Sequence, residues 1–110
     1  MKYLEENFRN IVLSHMLEFE ILYSKAKINL TVDMIQDLKS KLLLLLFDYY
    51  TIIVLFEKDD KTKNEKFNSI KQFEDTILKL PIHWDSLDEM KEIYNQIIKR
   101  ISEYIFKEKT

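Results

Sequence analysis

The stretch "KLLLLLFDYYTIIVLF", Lys41 to Phe56, decides the fold. Thirteen of the fifteen positions from Leu42 to Phe56 are aliphatic or aromatic, interrupted only by Asp48 and Thr51. A bilayer-spanning helix needs ~20 apolar residues, so this segment, with a carboxylate near its middle, predicts no membrane span. On a helical wheel of ~100° per residue, Ile35, Leu38, Leu42, Leu45, Tyr49, Ile52 and Phe56 step by three and four along one face. Leu43, Phe47, Tyr50 and Val54 form a second seam roughly opposite. A peripheral bundle helix needs only one apolar stripe. Two seams predict either a central helix wrapped by the others or a face that meets another polypeptide.

The flanking sequence predicts three more helices. The first covers about residues 2–27, with Leu4, Phe8, Ile11, His15, Phe19, Leu22 and Ala26 on its main stripe. "KINLT" breaks it, and Thr31 is placed to cap the second helix, about 32–57, with Asp33 favouring the helix dipole. "EKDDKTKNE" offers nothing to bury and reads as a solvated loop. Asn64 then caps a third helix, about 65–80, carrying Phe67, Ile70, Phe73, Ile77 and Leu80 and ended by Pro81. Ser86 and Glu89 have capping-box spacing, with Trp84 or Asp85 stapling the chain entry into a fourth helix, about 87–107. Its stripe is Leu87, Met90, Tyr94, Ile97, Ile101 and Tyr104. The expected fold is therefore all-α, a single-domain antiparallel four-helix bundle over residues 1–110.

Composition narrows function. The chain has 110 residues, 46% hydrophobic and 33% charged, enough for one packed domain. Its net charge of −2, with 17 scattered basic residues, disfavours nucleic-acid binding by bulk electrostatics. Glycine is absent, which excludes Gly-rich phosphate cradles and a nucleophile elbow. Cysteine is absent too, which excludes disulfides, thiol catalysis and Cys-based zinc sites and fits a reducing cytoplasm. The acidic opening "MKYLEENFRN" lacks the apolar core of a signal peptide. His15 and Glu18 stand one turn apart, but no second Glu/His pair accompanies them and His83 is isolated. No metal or cofactor is expected.

The segment "RNIVLSH", Arg9 to His15, resembles the R-polar-x-x-x-x-H signature of the HEPN superfamily, small all-helical proteins that dimerise and often cut RNA. The resemblance covers these seven residues. It implies that Arg9 holds a phosphate while His15 moves protons during attack by the ribose 2′-hydroxyl, at a dimer cleft. The chemistry needs a permanent cation and an imidazole that titrates near neutrality. Asp48, mid-helix between two apolar seams, is expected to pair with Arg9 across the antiparallel turn.

The first helix also carries a rear stripe, Leu13, Leu17 and Ile21. Three other helices can hardly enclose the second helix and also cover that stripe, and soluble monomers rarely expose so much apolar surface. The partner-binding surface is therefore expected at Leu43, Phe47, Tyr50 and Val54 and at Leu13, Leu17 and Ile21. Its occupant is a second copy, giving a homodimer, or another protein. With no catalytic set assigned, the expected function is a non-enzymatic, protein-binding one: an inhibitor, immunity or neutralising protein of bacterial or phage origin, acting in the cytoplasm. The ribonuclease on Arg9 and His15, which alone would engage nucleic acid, is the alternative. A structural subunit of a larger assembly is a second one.

Overall fold

A computed structural model describes residues 2–106, and of residues 2–4 the backbone alone. Four helices follow in order: α1 (Lys2–Ile28), α2 (Val32–Phe56), α3 (Asp60–Lys79) and α4 (Ser86–Ile105). No strand occurs among the described residues. The 27 residues of α1, at ~1.5 Å rise each, account for the 42 Å long axis. The side chain of Leu4, on the expected stripe, is not described, and Lys107, near the expected end of α4, lies outside the described residues.

α2 is the hub and contacts each of the other helices. Its front seam is buried from Ile35 to Ile52, with Leu46 and Ile53 widening it. Each such side chain, fully buried, contributes about 1.5–3 kcal/mol of burial free energy. α4 closes the core with Met90, Ile93, Tyr94, Ile97, Ile101 and Ile105. Phe19 of α1 stacks on Tyr94 with ring centroids 4.2 Å apart. At the other end of α1, Phe8 meets Phe56 edge-on.

His15 of α1 reaches Asp48 of α2, and Phe67 of α3 packs on Tyr50 of α2. Asp48 and Tyr50 point ~200° apart on the helix. α1 and α3 therefore flank α2 from opposite sides, with α4 between them over the front seam. The fourth side of α2, where Phe47 and Val54 lie, has no helix on it.

Several local expectations are corrected. Val12, not Ile11, is the buried residue of the first helix's third turn, while Ile11 is exposed. The stripe tilts one position toward α4, which lies on that side of α1. α3 begins at Asp60, not near Glu65, because Asp59 rather than Asn64 caps it. One Asp59 carboxylate oxygen accepts from both the backbone N–H and the hydroxyl of Thr62 (2.9 and 2.6 Å). No capping box forms at α4. Asp85 is already helical and makes no side-chain cap bond, while the Ser86 and Leu87 N–H groups donate to the His83 and Trp84 carbonyls. With the turn wound helically, the Ser86 hydroxyl is free to donate to the Pro81 carbonyl at 2.6 Å. The same winding turns Trp84 outward, 68% exposed, so it staples nothing. Thr31 caps α2 as expected, accepting from the Met34 N–H at 3.2 Å.

Candidate functional site

The rear seam of α2 and the outer side of α3 together form an open apolar groove. Leu43, Leu46, Phe47 and Tyr50 supply one wall, Ile70, Glu74 and Leu78 the other, around a volume of about 390 Å³. Phe47 is 64% exposed and Leu78 58%, with Tyr50 and Val54 each at 45%. Leu43 is half-buried. The Tyr50 and Phe67 rings, 5.0 Å apart, close one end. The only charge in the lining is the exposed carboxylate of Glu74.

The rear stripe of α1 is likewise uncovered: Leu13, Leu17 and Ile21 are all exposed, Leu17 at 60%. The chain thus presents two separate apolar surfaces, at the seven positions that the wheel analysis names. The α3 half of the groove was not foreseen. Leu78 lies off the core stripe of its helix, and that offset was the available signal.

Arg9 and His15 are drawn to different partners. The Arg9 Nε and Nη2 groups donate to the carbonyl of Ile105 at 3.1 and 2.9 Å, satisfying an orphan acceptor at the C-terminal end of α4. His15 Nδ1 is 2.5 Å from Asp48 Oδ2. The expected Arg9–Asp48 pair is therefore corrected: the helical register brings His15, nearly two turns further along α1, opposite Asp48. Burial pushes the Asp48 carboxyl above the usual carboxylate range, and the His15 hydrogen bond and charge only partly offset this. A buried carboxylate matched by an imidazole is an ordinary way to satisfy a polar group in a core.

A second polar cluster lies at the same end of the bundle as the Arg9–Ile105 contact. The Tyr104 hydroxyl donates to Glu57 at 2.6 Å and accepts from the Lys66 ammonium, which also neighbours Glu103. The Tyr104 hydrogen bond holds the Glu57 carboxyl below its usual range, and desolvation raises the Tyr104 phenol. These groups join α2, α3 and α4 and are matched to one another. Among the described residues, no group of three or more His, Asp or Glu gathers as metal ligands would. No described helix is long and apolar enough to cross a membrane.

No protein-family model, curated protein or solved structure matches the chain.

Proposed function

We propose that this chain works by binding protein, as an inhibitor, immunity or neutralising protein of bacterial or phage origin acting in the cytoplasm. One observation carries the reading: two apolar helix faces, Leu43–Phe47–Tyr50–Val54 and Leu13–Leu17–Ile21, stay largely uncovered after the four helices have packed. Contiguous apolar patches of this kind mark interaction sites on soluble proteins. A groove between two helices is the form of site that receives the apolar side of a partner helix. The bacterial or phage setting rests on the Lys-, Ile-, Asn- and Leu-rich composition and the small helical scaffold, by association alone.

The ribonuclease alternative gains no support from the side-chain geometry, in which Arg9 serves the α4 terminus and His15 serves Asp48. The deciding experiment is affinity capture with the intact chain, followed by binding of the captured protein to wild type, Leu17→Glu and Arg9→Ala/His15→Ala. Saturation at a fixed stoichiometry, lost with Leu17→Glu but retained in the double variant, supports the reading. Turnover of an RNA substrate that disappears with Arg9 and His15 overturns it.

A further inference from the structure

We infer that the open side of α2 is covered by a second copy of the same chain, packed as an antiparallel α2–α2 pair about a two-fold axis. The inference rests on the reading of the α2 seam as a binding surface and names its occupant; the α1 stripe then remains for a different protein.

The first argument is symmetry. A two-fold interface is isologous, so one patch must fit itself in reverse. The α2 seam does. Leu43 and Val54 are equidistant from its midpoint, between Asp48 and Tyr49, and so are Phe47 and Tyr50. Reversing the helix sets Phe47 against Tyr50 of the second copy and Leu43 against Val54 of the second copy. Aromatic meets aromatic at the centre and aliphatic meets aliphatic at the ends. From Phe47 to Val54 spans seven residues, ~10 Å of helix, two turns of contact.

The second argument is charge. A patch carrying net charge repels its own copy, since like charges brought face to face are costly. From Leu42 to Phe56 the only ionisable carboxylate of α2 is Asp48, which is buried toward α1 and matched there by His15. The rear seam of α2 itself carries no charged residue, and Glu74 lies at the groove's far wall.

The third argument is area. Large side chains carry roughly 150–250 Å² each, so the exposed fractions of Phe47, Tyr50, Val54 and Leu78 amount to about 400 Å² of apolar surface. A standard interface takes ~800 Å² from each partner, a little over half of it apolar. The patch matches what one face of a dimer contributes. Pairing also completes the surroundings of α2, enclosed by α1, α3 and α4 on three sides and by its own counterpart on the fourth.

Sedimentation velocity of the full chain at tens of micromolar tests this. Wild type is expected as a dimer of the 13.4 kDa chain. Leu43→Glu and Val54→Lys are each expected to weaken association at least tenfold. An equimolar mixture of the two is expected to recover dimer, because the opposite charges then face each other across the interface. Circular dichroism checks that each variant is folded. Should Leu43→Glu unfold, a mixture of Phe47→Cys and Tyr50→Cys, in a chain with no other thiol, is expected to cross-link with a short bismaleimide. A monomeric wild type overturns the pairing, as does a dimer that neither recovers in the mixture nor cross-links at these positions. Both results leave the capture experiment through the α1 stripe unaffected. Conversely, capture failing while the dimer stands overturns the protein-binding reading alone.

Discussion

His15 and Asp48 form a buried pair that joins the two longest helices, with Nδ1 2.5 Å from Oδ2 and the Asp48 residue only 5% exposed. With Asp48 ionised it accepts and the imidazole Nδ1 carries the proton. Desolvation outweighs the help from His15, so the folded chain holds the Asp48 proton to higher pH than the unfolded chain, whose carboxyl titrates near 3.8.

The sign of the pH dependence follows. A carboxyl raised in the folded state means that folding takes up a proton just above pH 3.8. The Asp48 contribution to stability is therefore present in acid and lost as pH rises through the folded-state value. Asp48→Asn keeps the shape and an acceptor for His15, and it is expected to change stability at neutral pH by no more than about 1 kcal/mol. His15→Ala strands the carboxylate and is expected to cost about 2–3 kcal/mol, below the value for fully buried pairs because His15 is part-exposed. Urea midpoints from pH 4 to 8 for wild type and both variants check this. Parallel wild-type and Asp48→Asn curves through the acid range count against it.

Arg9 makes a different kind of link. Its guanidinium spans from α1 to the last carbonyl of α4, where a cation also complements the helix dipole. Arg9→Met keeps much of the aliphatic stem but drops both hydrogen bonds, at an expected cost of about 1–2 kcal/mol. The loss is local, so amide exchange over the last turn of α4, Ser102 to Ile105, should accelerate before the rest of the helix responds. Lys in place of Arg9 keeps the charge without the fork and should recover only part of the protection. Unchanged exchange in Arg9→Met removes the capping role.

The architecture was legible where period and length agree. Twenty-five residues of α2 repeat at helical spacing behind a capping Thr31, and that combination fixes element, face and start. It failed at the start of α3 for a physical reason: "EKDDKTKNE" has no apolar residue to mark a period, and the deciding contact is one carboxylate, Asp59, gripping Thr62. Ile11 and Val12 are adjacent and both apolar, so only the position of α4 chooses between them. Asp48's partner depends on register across the α1–α2 turn, where a shift of six residues replaces Arg9 by His15. The α2 wall of the groove was readable from one helix. The α3 wall was not, because a groove exists only once two helices pair.

Tyr49 is the one buried side-chain hydroxyl among the described residues without a hydrogen-bond partner. The ring is fully buried in the front seam of α2, and desolvation is the main cause holding its phenol above the usual value. Arg100, Glu103 and Glu57 are the charges that act on it, yet the oxygen makes no bond to any of them. An unsatisfied buried hydroxyl loses its water without compensation, at about 1–3 kcal/mol. Removing the oxygen while keeping the ring discards that cost and opens almost no cavity. Tyr49→Phe is therefore expected to raise stability by about 1 kcal/mol, whereas Tyr49→Ala should lower it by about 3–5 kcal/mol through the void it leaves. Denaturant midpoints at constant slope distinguish the two effects. A Tyr49→Phe variant destabilised by more than about 1 kcal/mol would mean that the hydroxyl does find a partner in solution, with the Arg100 guanidinium a group able to donate to it.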